Sequence, residues 1–168
     1  ATNKLLKCKP DLCISGINHG ANYSISTLYS ATVHAAIEGT IEGIPSIAIS
    51  HVNYSNKTDL SSFEEFIKLF IKKILINGIS KGITLNVNFP DVTYTNINGV
   101  KICRQGKGNW IEKVVCKNKK DDECWITGNF KSYEDKNDTD IWALKNHFIS
   151  IVPISIDMTD YNYINKIK

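Results

Sequence analysis

Short apolar runs, each closed by polar or turn-forming residues, set the rhythm of the chain. Leu12-Cys13-Ile14-Ser15 is apolar on consecutive positions, which suits a strand covered on both faces. Gly16 to Ser26 is polar and loop-like. Tyr29, Val33, Ala36, Ile37 and Ile41 then recur at helical steps, and Gly43 with Pro45 ends the run. Ser46 to Ser50 reads as a second buried strand, so this half of the chain predicts a βαβ crossover.

Further on, Ser61 and Ser62 stand at capping-box spacing before Glu64 and Glu65. The predicted helix carries Phe63, Phe66, Ile67, Phe70, Ile71, Ile74 and Leu75 on one stripe and closes at Gly78. It reads as a surface helix packed on a sheet. Ile83, Leu85, Val87 and Phe89 alternate with Thr84, Asn86 and Asn88, a strand with one polar face that stops at Pro90. Asn98-Gly99 signals a turn. Trp110 to Lys117 and Cys124 to Thr127 read as hairpin arms around the charged tip "NKKDDE". Phe148 to Ile154 is a last apolar strand, and "MTDYNYINKIK" predicts a short closing helix.

Composition narrows the classes. The 168 residues suffice for one domain with a real core. A net charge of +3 is too mild to argue for nucleic acid. No apolar run is long enough to predict a membrane span, and the first residues lack the apolar core of a secretory signal. The five cysteines are irregularly spaced without a C-x-x-C pair, which argues against structural zinc and reads as a set of reduced thiols in a cytosol-like compartment. N-x-S/T sequons at Asn22, Asn53, Asn56 and Asn137 match chance in an Asn-rich chain.

The candidate chemistry lies between the first strand and the first helix. An α/β sheet binds ligands at the carboxyl ends of its strands, where Gly16 to Asn22 lies. The helix after it begins near Tyr29-Ser30 and turns unbonded N–H groups outward, which favours phosphate. Ser30 and Thr32 add hydroxyls, and Asn18 and Asn22 add amides. An Asn carbonyl is a hard donor suited to Mg²⁺, Mn²⁺ or Ca²⁺. His19 sits in the same loop, and His34 lies on the helix with a structural reading.

"PDLCISGINHGAN", "LYSATVHAAIEG" and "GIPSIAIS" resemble the survival protein SurE family of acid-phosphatase-like nucleotidases. "LNVNFP", "RQG", "TD" and "FISIVPISIDMTDY" follow in the family's order. The resemblance implies an α/β, Rossmann-like three-layer sheet with an extended β-hairpin and a C-terminal element. It divides the chain into part of the Rossmann-like domain (1–95), the hairpin region (96–133) and a final strand with a tail used in assembly (134–168). It implies a cytoplasmic, divalent-metal-dependent phosphomonoesterase, with Mg²⁺ or Mn²⁺, acting on nucleoside 5'- and 3'-monophosphates. The expected assembly is a homodimer or homotetramer, without membrane or nucleic-acid partners. Asn18 matches the family's metal-binding Asn; Asn22, Ser30 and Thr32 match residues around the phosphate. Ala31 stands where the family usually has Gly.

The family's acidic metal ligands, an Asp-Asp pair in an N-D-D-G turn, and a further Ser have no counterpart here. The N-terminal strands that would carry them are expected to lie outside these residues. Asp121-Asp122 sits in the charged hairpin tip and is rejected as a substitute. No residue of this chain is therefore assigned as catalytic, and the chain alone is expected to be inactive. Alternatives are a degenerate, non-catalytic nucleotide-binding or assembly protein, and a nucleic-acid binder using Trp110, Trp125, Lys117, Lys119 and Lys120.

Overall fold

Every residue of Ser46–His51 is buried, because that strand is paired along both edges and covered on both faces. The computed structural model describes residues 4–55, 58–117 and 123–168. Along the chain, β1 (Cys13–His19) leads through a 3-10 turn (Ser24–Tyr29) into α1 (Ala31–Ile41) and β2 (Ser46–His51). α2 (Glu64–Asn77) connects to β3 (Ile83–Phe89). Then come β4 (Gly99–Ile102), the hairpin strands β5 (Gly108–Cys116) and β6 (Cys124–Ser132), α3 (Asp140–Lys145), β7 (Phe148–Ser155) and α4 (Tyr161–Ile167).

The main sheet has the order β1-β2-β3-β7-β4. The first three strands run parallel, β7 is antiparallel to β3, and β4 is parallel to β7. Alternation along β2 sorts the helices. Ala48 meets Val33 and Ala36 of α1, whereas Ile47 and Ile49 meet Phe63 and Ile74 of the α2 segment. α1 and α2 therefore cover opposite faces, giving three layers. α3 packs through Ala143 on Val152 and Cys103. This is the Rossmann-like α/β architecture expected from the sequence.

Several local expectations are corrected. β1 runs on to His19, and at the sheet edge it is only partly covered: Ile14 is 43% exposed. The capping box does not form. A 3-10 turn over Ser61–Phe63 precedes α2, Phe63 holds the cap position without a side-chain bond, and the Asp59 carboxylate takes the Ser61 N–H instead. Leu75 lies off the buried stripe and is exposed. The polar face of β3 is buried rather than bare, with Thr84, Asn86 and Asn88 all at 0% exposure.

The thiol expectation is also corrected. Cys116 and Cys124 face each other in the β5–β6 register and form a disulfide, leaving Cys8, Cys13 and Cys103 free. The eight-residue separation matches no zinc or redox motif, so only the hairpin register brings the pair together. Asp121-Asp122, Lys119, Lys120 and Asn56 lie outside the described residues.

An ion cluster ties the hairpin to the sheet. Arg104, just past β4, pairs both guanidinium arms with Glu134 at 2.8 Å and donates from Nε to Asp138 at 2.9 Å. Lys107 N–H also donates to Glu134. The Arg104 bonds above all hold the Glu134 carboxyl at about 2, below its ordinary 4.5. A lowered folded-state value means that this contribution is complete above 4.5 and is lost as pH falls through about 2. Trp110 fluorescence is therefore expected to report loosening of the hairpin root across that window in wild type, and Glu134→Gln to remove the acid-side transition. Superimposable titrations would disprove this role for Glu134.

Candidate functional site

The site begins with an irregularity in β1. Ser15 pairs with Ala48 and Asn18 with Ser50, so three steps along β1 match two along β2. Gly16, at φ +108°, makes that bulge possible. The bulge re-aims the end of the strand and sets Asn18 against Ser50, whose Oγ donates to Asn18 Oδ1 at 2.7 Å. Asn18 Nδ2 donates to the Gly20 carbonyl at 2.8 Å and holds the loop in a tight turn.

Asn22 is the centre of the loop's wiring. Its Nδ2 donates to Ser50 Oγ at 2.7 Å and to Asn18 Oδ1 at 3.1 Å. Its backbone N–H donates to Asn88 Oδ1 and its carbonyl accepts from Asn86 Nδ2, both at 2.7 Å. The buried polar face of β3 is thus an amide ladder that grips this loop. In a dry interior every such group needs a partner, and here the partners are the loop's own backbone.

One turn later the loop is pinned again. Asp140, fully buried at the start of α3, accepts from Ser24, Gly106 and Ile141 N–H groups, each at 2.8 Å. Burial raises its carboxyl above the ordinary range, and these N–H bonds pull the other way. Ser24 Oγ donates to the Gly106 carbonyl. The hairpin closes the far side: Trp110 Nε1 donates to Ser26 Oγ at 3.1 Å, and Phe130 meets the Tyr23 ring edge-on at 5.0 Å.

Ser30 caps α1, its Oγ accepting from Val33 N–H at 3.1 Å. That leaves its hydroxyl proton and the first amides of the helix for a ligand. Asn18, Asn22 and Ser30 border one open cleft of about 440 Å³, together with His19, Tyr29 and Tyr54. Its opposite wall is the hairpin, through Trp110, Glu112, Ile126 and Gly128. Thr32 is half-buried in the first turn of α1 and does not border the cleft. His34 bonds its own helix through Ser30 O. His51 is buried, and that burial lowers its pKa.

Sequence reasoning missed Ser50, Asn86, Asn88, Asp140 and the hairpin wall. The alternation in "LNVNF" was the available signal for the ladder. Trp110 and Trp125 do not form a joint platform, because their register positions put them on opposite faces of the hairpin.

A family model described as "Survival protein SurE" matches residues 1–112. The chain is 43% identical over 170 residues to "5'-nucleotidase SurE" of Flavobacterium psychrophilum, covering 100% of this chain and 66% of that protein. It is 44% identical over 169 residues to "5'-nucleotidase SurE" of Cytophaga hutchinsonii, covering 95% and 62%. The crystal structure of the SurE protein from Aquifex aeolicus superposes with a TM-score of 0.80 at 36% identity, covering 95% of this chain and 65% of that one. The chain therefore spans just under two thirds of the length of these relatives.

Proposed function

The chain belongs to the SurE family, and from that premise we propose that it supplies the phosphate-gripping part of a nucleotidase. In this reading the whole protein is a divalent-metal-dependent phosphomonoesterase that hydrolyses nucleoside 5'- and 3'-monophosphates. The observation that carries it is the convergence of Asn18, Asn22 and Ser30 on one cleft at the carboxyl end of β1 and the start of α1.

The donors suit a phosphoryl group. The Ser30 hydroxyl and the first amides of α1 meet the phosphate oxygens, with the helix's positive end behind them. Asn22 already donates its two amide protons to Ser50 and Asn18 and its backbone N–H to Asn88, so its part is to hold the loop at the cleft, prearranged for the phosphate, rather than to donate to it. Thr32 joins through its backbone N–H rather than as a wall of the cleft. Ala31, exposed in the first turn of α1, favours the helix more than the Gly that the family usually has there.

The metal is where these residues fall short. Asn18 Oδ1 is a neutral oxygen that already accepts two hydrogen bonds. Among the described residues no group of three His, Cys, Asp or Glu side chains is arranged to hold a cation. A dication needs carboxylate charge to offset its dehydration. The described residues do not make a metal site by themselves, and no reaction step is derived through one. In this reading the cation takes its carboxylates from beyond the described residues, with Asn18 as one neutral ligand, and the 168 residues alone are inactive.

Assembly as a dimer or tetramer is supported by apolar groups left bare on the outer hairpin, Val114, Val115 and Trp125, and on the tail, Met158, Tyr161 and Ile167. Among the described residues no helix is long and apolar enough to cross a membrane.

The test is phosphate release from nucleoside monophosphates by the full-length protein in Mg²⁺ or Mn²⁺, against the 168 residues alone. Activity only in the former is expected. Asn18→Ala in the full-length protein is expected to raise the metal concentration for half-maximal activity roughly tenfold or more. An unchanged metal titration would remove Asn18 from the site. A full-length protein inert on every phosphomonoester would favour the non-catalytic alternative.

A further inference from the structure

The hairpin wall of the cleft carries a second pattern. Trp110, Glu112 and Val114 alternate onto one face of β5, and their register partners on β6 are Phe130, Gly128 and Ile126. The middle rung is therefore Glu112 opposite Gly128, a carboxylate beside a missing side chain. A Cβ at Gly128 would stand 2.6 Å from the Ile111 carbonyl oxygen, so the close approach of the two strands keeps this rung free of a second side chain. Trp110 flanks it, with its ring fixed by the bond to Ser26 and by the Phe130 contact, 5.8 Å between centroids. Among the described residues Glu112 has no hydrogen-bonding or ionic partner.

Resting on the nucleotidase reading, we propose that this notch is the nucleobase subsite and that it selects guanine. A flat ring lies over Gly128 against Trp110, while the phosphate occupies the Asn22–Ser30 end of the same cleft. A fixed tryptophan gives a base a stacking partner of low mobility. Glu112 supplies two acceptor oxygens and no donor. Guanine alone among the common bases presents two adjacent donors, N1–H and N2–H₂, on its Watson–Crick edge. Adenine and cytosine set one donor beside an acceptor, which a carboxylate repels. The base is thus read by charge and donor count, and the phosphate by the helix end.

The test uses the full-length protein with GMP, AMP and ribose 5-phosphate as ligands in calorimetry and as substrates in phosphate release. GMP is expected to bind about tenfold or more tightly than ribose 5-phosphate. Trp110→Ala shrinks that gap about tenfold, and Trp110→Phe, which keeps a ring, restores part of it. Glu112→Gln narrows the GMP-to-AMP ratio about tenfold. Gly128→Val weakens both nucleotides relative to ribose 5-phosphate. A GMP-to-AMP ratio unmoved by Glu112→Gln overturns guanine selection. Equal binding of GMP and ribose 5-phosphate overturns the subsite while leaving the phosphatase reading intact. Failure to hydrolyse any of the three overturns the phosphatase reading, and the calorimetry then decides the subsite by itself.

Discussion

Replacing Gly16 by alanine is expected to destabilise the protein by about 2–6 kcal/mol and to weaken phosphate binding with it. Two effects add at this position. The backbone sits at φ +108°, where a side chain strains the chain by roughly 1–3 kcal/mol. The new Cβ would also stand 2.1 Å from the Ile49 carbonyl oxygen in β2. That oxygen belongs to the backbone of β2, held between β1 and β3, so no rotamer change relieves the overlap, and overpacking of this kind costs about 1–3 kcal/mol. Melting is expected to fall by roughly 4–24 °C, at about 2–4 °C per kcal/mol for a chain of this size. Gly78→Ala isolates the strain: that residue also has positive φ, +73°, but nothing lies within 4 Å of its Cβ position. A Gly16 variant that melts no lower than the Gly78 variant would show that close packing of the β1 bulge on β2 is energetically unimportant.

Asp140→Ala is expected to unfold the protein by about 3 kcal/mol or more, because it strands three buried N–H groups at once. Each belongs to a different segment: the loop at Ser24, the turn at Gly106 and the first turn of α3. Losing the acceptor frees all three, so loosening of the phosphate loop should accompany the drop in melting temperature. Asp140→Asn keeps the shape but turns one oxygen into a donor. Whichever way the amide is set, at least one N–H then faces another N–H. Only partial recovery is therefore expected, and an Asn variant as stable as wild type would show that the second carboxylate oxygen is dispensable. Denaturant unfolding with amide exchange at Ser24 and Gly106 would separate the two readings.

How far the sequence could be read depended on range. The buried strands Ser46–His51 and Ile83–Phe89, and the helix Ala31–Ile41, were visible because apolar spacing and a Gly and Pro stop are local signals. The site loop was visible through its Gly and Asn content. What lay beyond reach was pairing between distant residues. Asn86 and Asn88 looked like an ordinary polar face until their partner, more than sixty residues away, was known. Cys116 and Cys124 needed the hairpin register, and Asp140 needed the meeting of three segments. The capping box failed for a related reason: Asp59, just upstream, took the amide and tightened the approach into a 3-10 turn.

The amide ladder on β3 has a consequence for how such a loop can change over time. Its anchor is a strand whose pleat allows only whole steps: a slip of one place turns Asn86 and Asn88 to the far side, and a slip of two carries them about 7 Å along the sheet. The loop's position is therefore inherited in discrete increments. Insertions or composition drift in the surface connections leave it where it was, while any change that re-registers the sheet abolishes the grip outright. Selection acting on this pocket would then meet a threshold rather than a slope.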